Sequence, residues 1–106
     1  MLEITAKELK DRLDAGDDVR IVDVRNPDEF AFAKIEGATL IPFGEVMQRI
    51  DEFDGDSETV VMCRSGVRSA RVIEFLESRG YEGKLLNLVG GILAWSDQVD
   101  PTIRKY

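Results

Sequence analysis

The chain is expected to fold as an α/β protein, a central mostly parallel sheet of 4–5 strands with helices on both faces, and three features predict this. First, short runs rich in β-branched residues or leucine alternate along the chain with amphipathic helical stretches. Second, those runs are apolar throughout instead of alternating, as in strands buried on both sides. Third, the 106 residues fit a single domain over 1–106, with no repeat, low-complexity tract or linker.

The elements follow in order. Thr5-Ala6-Lys7-Glu8 has the form of a capping box, with Thr5 taking a free amide and Glu8 reaching back. Leu9 and Leu13 continue at helical spacing, and Gly16 supplies a stop. Arg20–Val24 is the first strand. Asn26-Pro27-Asp28-Glu29 opens a brief helix with Pro27 in its first turn. Ala38–Ile41 is a second apolar run, closed by Pro42. Helical spacing returns over Phe43–Phe53 through Val46, Met47 and Ile50, and Gly55-Asp56-Ser57 reads as a loop. Thr59–Met62 is the third strand. Ser69–Arg79 is the clearest helix, with Ala70, Ile73 and Leu76 as its apolar stripe and Gly80 at its end. Lys84–Leu88 is the fourth strand, Gly90-Gly91 a turn, and Ile92–Gln98 a last helix carrying Trp95.

Composition narrows the chemistry. Apolar residues make up 43% and charged residues 33%, ordinary values for a globular chain long enough to bury one core. The lone Cys63 excludes an internal disulfide, and without histidine no zinc site of the usual type can assemble; no metal and no cofactor are expected. An unpaired thiol suits a reducing compartment, so the cytoplasm is the expected location. The apolar stretches are too short to cross a bilayer, and Met1-Leu2-Glu3-Ile4 does not begin a signal peptide. A net charge of −7 argues against nucleic acid, whose phosphates require a basic face. The acidic clusters Asp11–Asp18 and Asp51–Glu58 read as solvated helix ends and loops, and a monomer is the default.

In parallel sheets ligands bind beyond the carboxyl ends of the strands. Cys63 is the first residue after such an end, and it opens the segment Cys63-Arg64-Ser65-Gly66-Val67-Arg68 before the helix near Ser69. A loop whose amides point inward makes a concave anion site. The helix adds the positive end of its dipole, and Arg64 and Arg68 add fixed positive charge. All three favour thiolate, the nucleophilic form. Gly66 permits a tight turn, and Ser65 and Ser69 are placed to donate to the sulfur or to its cargo. No separate base is needed, in keeping with the absence of histidine. A merely buried core cysteine is the bland alternative. Two arginines, two serines and a glycine around it at a strand-to-helix junction favour the reactive one. Nearby, Arg25 is expected to pair with Glu29 and fix the turn around Pro27. Trp95 is expected to anchor the core, and Gly90-Gly91 to let the backbone approach the site.

The segment Cys63–Ser69 resembles the active-site loop of rhodanese domains, which are sulfurtransferases. Asp23-Val24-Arg25, Glu29-Phe30, Gly37-Ala38 before Ile41-Pro42, and Gly90-Gly91-Ile92-Leu93-Ala94-Trp95 resemble the family in the same order. The resemblance covers nearly the whole chain and implies a rhodanese-like three-layer sandwich. It further implies that Cys63 takes a sulfane sulfur from a donor such as thiosulfate and passes it, as a persulfide, to a thiophilic acceptor. Arg64, Ser65, Gly66, Val67, Arg68 and Ser69 would line the substrate site. Phosphatases and arsenate reductases of similar fold carry five residues between Cys and Arg, whereas four lie between Cys63 and Arg68, which suits sulfur. One departure is Ala33-Lys34-Ile35 where the family commonly has Gly-His-Ile; Lys34 is expected to be an exposed lysine. The tail Trp95–Pro101 with Lys105-Tyr106 resembles the rhodanese domain joined to E1-like adenylyltransferases, which implies a ubiquitin-like sulfur carrier as acceptor. A tail packing Val99 and Ile103 on the core is the structural alternative. A binding or regulatory module without enzymatic activity is the functional one, against which the chain keeps its cysteine.

Overall fold

The computed structural model describes residues 1–53 and 55–106; Asp54, part of the second acidic cluster, lies outside them. Five parallel strands form one sheet: β1 (Leu2–Ile4), β2 (Val19–Asp23), β3 (Thr39–Leu40), β4 (Glu58–Met62) and β5 (Leu85–Leu88), in the order β1-β5-β4-β2-β3. Among the described residues three α-helices lie between strands, α1 (Ala6–Asp14), α2 (Pro27–Phe32) and α3 (Val67–Ser78), and a fourth, α4 (Gly91–Gln98), follows β5. The predicted α/β class holds, with every strand pairing parallel.

Alternation along the strands explains why their sequences carry apolar residues on both faces. Ile21, Val60, Met62, Leu86 and Leu88 face one core with Leu9 of α1 and Ile92 and Trp95 of α4. Val22, Val61, Cys63 and Leu85 face the other, with Val72, Ile73 and Leu76 of α3. Trp95 is therefore the core anchor expected, and Val99 and Ile103 pack on the same cluster. The capping box of α1 forms as written: Glu8 N donates to Thr5 Oγ1 at 3.1 Å and Thr5 N to Glu8 Oε1 at 2.9 Å.

Two elements differ from expectation. Leu2–Ile4, read only as a non-signal N-terminus, is an edge strand paired with β5 alone (Ile4 beside Leu88). Phe43–Phe53 is not one helix but two short 3₁₀ turns, Phe43–Glu45 and Ile50–Glu52. Val46 is buried, yet Met47 is 61% exposed, so the apolar residues do not share a helical face. The arrangement puts β4 at the centre, and the segments after β2, β4 and β5 meet at the carboxyl end of the sheet.

Candidate active site

Cys63 follows the last residue of the central strand, and its side chain is 1% exposed. Gly66, at φ +106°, reverses the chain so that α3 begins at Val67, two residues before the serine taken as its start. The turn aims the Gly66 amide at the sulfur, with N to Sγ at 3.1 Å. Ser69, fully buried in the first turn of α3, places Oγ 3.4 Å from Sγ. Burial pushes the Cys63 thiol up, but the Ser69 hydroxyl and the amides of Ser69, Gly66 and Ser65 outweigh it, leaving the thiol below its ordinary value.

The orientation of those amides is set from outside the loop. Ile92 N donates to the Cys63 carbonyl at 2.9 Å, and Leu93 N to the Arg64 carbonyl at 3.3 Å. A peptide's C=O and N–H point opposite ways, so holding the Arg64 carbonyl against α4 turns the Ser65 amide toward the sulfur. Gly91 makes the approach possible, because a Cβ there would lie 2.4 Å from the Cys63 carbonyl oxygen.

The arginine side chains are committed to partners other than the thiol. Arg68 forms a two-pronged bridge to Glu29, at 2.8 Å and 3.0 Å, and pulls on the Cys63 charge only from a distance. Arg64 donates to the Tyr106 carbonyl and stacks on its ring, 5.1 Å from the centroid. Neither arginine hydrogen-bonds the sulfur, so the nearest stabilisation comes from neutral donors. The side chain of Ser65 is exposed and its amide faces the sulfur, while Val67 is 58% exposed.

Arg25 corrects another expectation. It is fully buried and pairs with Asp23, Nη2 to Oδ2 at 2.7 Å, not with the Glu29 carboxylate. It still fixes the turn, donating to the Ala33 carbonyl at 2.6 Å and the Glu29 carbonyl at 3.3 Å. Its remaining donor meets the Tyr106 hydroxyl at 3.0 Å, and that hydroxyl donates to Glu29 Oε2 at 2.7 Å. Lys34 is exposed, over the Phe30 ring at 5.2 Å. Tyr106 and Asn87 are not among the predicted site residues, yet the fold brings both to the loop. Asn87 had a signal: it is the one polar side chain in Leu85-Leu86-Asn87-Leu88, and a buried amide requires partners.

Glu29 supplies a prediction about acid. The Arg68 guanidinium, with the Asn26 amide and Tyr106 hydroxyl, holds its carboxyl at about 2; Arg12 and Lys84 hold Glu58 at about 2 as well. A depressed carboxyl contributes stability in full above its unfolded value of 4.5, and loses it as pH falls toward the folded one. Urea midpoints should therefore drop steeply below about pH 4.5. Glu29→Gln should lower stability at pH 7 by on the order of 1–3 kcal/mol and flatten that acid limb. An unchanged limb would remove the pair from the stability of the fold.

The chain is similar to known proteins in sequence and in fold. The family model described as "Rhodanese-like domain" matches residues 5–98. A protein of Allochromatium vinosum named "Sulfurtransferase" is 40% identical over 94 residues, covering 89% of this chain and 87% of that one. The "Probable adenylyltransferase/sulfurtransferase MoeZ" of Mycobacterium tuberculosis is 36% identical over 108 residues, 97% of this chain but 26% of its own length. Among solved structures, a rhodanese-like domain protein from Staphylococcus aureus superimposes with a TM-score of 0.85 at 35% identity, covering 100% of this chain and 99% of that one.

Proposed function

The chain belongs to the rhodanese-like domain family, and from that premise we propose that it is a sulfurtransferase acting through a persulfide on Cys63. It does so as one domain over residues 1–106, as a monomer, and in a reducing compartment such as the cytoplasm. The observation that carries the proposal is the sulfur set among inward amides and the Ser69 hydroxyl at the end of the central strand. Kinship with proteins named sulfurtransferases supports the same class of reaction.

In the first half-reaction the Cys63 thiolate attacks the outer sulfur of a sulfane donor. A new S–S bond forms, and the donor's own bond to that sulfur breaks, its electron pair leaving with the donor residue, which is sulfite when the donor is thiosulfate. In the second, an acceptor nucleophile takes the outer sulfur and the electron pair of the S–S bond returns to Cys63. The relay has a spatial benefit. The thiol is buried, and the transferable sulfur sits about 2 Å further out, one S–S bond length from Sγ. Gly66, Ser65 and Ser69 would hold the charge on either sulfur, and Arg64 and Arg68 would meet anionic donors at the rim.

The tail's resemblance to rhodanese domains joined to adenylyltransferases favours one acceptor class, a ubiquitin-like sulfur-carrier protein, and the match over 97% of this chain to an adenylyltransferase/sulfurtransferase supports that resemblance. Intact-mass measurement after incubation with thiosulfate tests the proposal: the protein should gain one sulfur atom and lose it again on addition of cyanide or dithiothreitol. No gain with thiosulfate or with other sulfane donors would overturn it. Hydrolysis of an aryl phosphate, by contrast, should be absent.

A further inference from the structure

Asn87 is 6% exposed in the middle of β5, between Leu86 and Leu88. Strand register sets it beside Val61, two residues before Cys63. From there its side chain reaches the cysteine loop at two points. Nδ2 donates to the Gly66 carbonyl at 3.1 Å, and Oδ1 accepts the Ser69 hydroxyl at 2.6 Å. The reverse placement of the amide would set Oδ1 against the Gly66 carbonyl, so the partners dictate the orientation.

A serine hydroxyl has a single hydrogen to give. While that hydrogen is committed to Asn87, Ser69 turns a lone pair toward Cys63 Sγ at 3.4 Å. In this state Ser69 accepts from the protonated thiol and cannot donate to the thiolate. Donation requires the hydroxyl to rotate away from Asn87, which leaves Oδ1 buried without its hydrogen. Ionisation of Cys63 and the Asn87–Ser69 bond are therefore in competition. Meanwhile the Nδ2 bond pins Gly66, whose amide serves the sulfur in both states.

We propose that Asn87 is a positioning residue of the sulfur site: it controls whether the Ser69 hydroxyl serves Asn87 or the sulfur, and it clips Gly66 in place. The inference rests on Cys63 being the reactive group, but its test reads thiol ionisation and needs no sulfur donor, so either idea can fail without the other. The charged and titratable groups around the site are Arg64 on the loop, Arg68 on α3 with Glu29 on α2, Asp23 at the end of β2 with Arg25 after it, and Tyr106 in the tail. None of their described hydrogen bonds goes to Sγ or Asn87, and they stay constant through the variants below.

The thiol's ionisation is followed by the pH dependence of iodoacetamide alkylation in four proteins: wild type, Ser69→Ala, Asn87→Leu and the double variant. With Asn87 present, the hydroxyl reaches the thiolate only by giving up its Asn87 bond, so removing it should raise the midpoint modestly. In the Asn87→Leu background the hydroxyl is free to serve the thiolate, and removing it should raise the midpoint by about one pH unit more, a tenfold change in thiolate fraction. Equal shifts in the two backgrounds would overturn the proposal, and the loss of the Gly66 clip cancels because both Asn87→Leu proteins share it. A second measurement leaves position 87 intact. In ¹⁵N-labelled wild type the Asn87 Nδ2 signals should titrate with the thiol, and in Ser69→Ala that movement should fall by more than half. A silent Asn87 amide, or one that moves equally without the Ser69 hydroxyl, rejects the coupling.

Discussion

Cys63→Ser should reduce sulfur loading by about 10³-fold or more while leaving the fold intact. The reaction needs an ionised atom that can form and later break a bond to sulfur. A serine hydroxyl stays protonated under conditions where the thiol ionises, and the sequence contains no histidine to take its proton. The cradle cannot substitute for one: the Gly66 amide and Ser69 hydroxyl lower the cost of a charge already feasible on sulfur. The fold should tolerate the change because the new hydroxyl inherits the Gly66 donor and the Ser69 partner, so no orphaned polar group is buried. The expected cost is within about 1–2 kcal/mol, mostly lost packing among Val22, Val61 and Val72. Mass gain after thiosulfate exposure and thiocyanate formation measure loading and turnover; circular dichroism reports the fold. A serine variant loading at a tenth of the wild-type rate would remove Cys63 from the chemistry.

The chemistry was easier to read in the sequence than its support. Strands β2, β4 and β5 were visible because their residues are apolar on both faces, and the position of Cys63 followed from where β4 ends. β1 was not visible, since three residues with only Ile4 buried form no pattern. The stretch Phe43–Phe53 misled because Val46 and Ile50 are four apart and both turn inward, a spacing that successive 3₁₀ turns also allow. α3 starts two residues ahead of Ser69 because Gly66, at positive φ, makes the turn, while the Ser69 hydroxyl serves Asn87 and the sulfur. What local sequence could not convey was pairing at a distance. Arg68 meets Glu29 across 39 residues, Arg64 meets Tyr106 across 42, and Ser69 meets Asn87 across 18. Proximity in sequence made the arginines look like partners of the thiol. Each instead has a nearer carboxylate, carbonyl or ring, and a bidentate carboxylate is the stronger claim on a guanidinium.

The second large effect is expected far along the chain from the cysteine, at Gly91. Its φ of +57° is one that side chains adopt at a cost of about 1–2 kcal/mol. Space is the greater obstacle: a Cβ would meet the Cys63 carbonyl oxygen at 2.4 Å, the Arg64 oxygen at 2.5 Å and the Arg64 carbon at 2.6 Å. All three are backbone atoms and cannot rotate away, so α4 and the cysteine loop must separate, at roughly 1–3 kcal/mol. Gly91→Ala should thus destabilise by about 3 kcal/mol and lower Tm by about 12–20 °C. Gly37→Ala is the control, since φ there is +87° but nothing lies within 4 Å of the added carbon, and only the backbone cost applies. The same separation breaks the bonds from Ile92 and Leu93 to the Cys63 and Arg64 carbonyls. Freed of them, the peptide before Ser65 no longer has to aim its amide at the sulfur. Losing one donor to a charged sulfur is worth about 1.5–3 kcal/mol, so the surviving folded fraction should load sulfur about 10–100-fold more slowly, with a raised thiol pKa. Thermal melts of the two alanine variants, with alkylation rates below their transitions, test both halves. If Gly91→Ala melts with Gly37→Ala and keeps the wild-type thiol, the α4 terminus does not shape the loop.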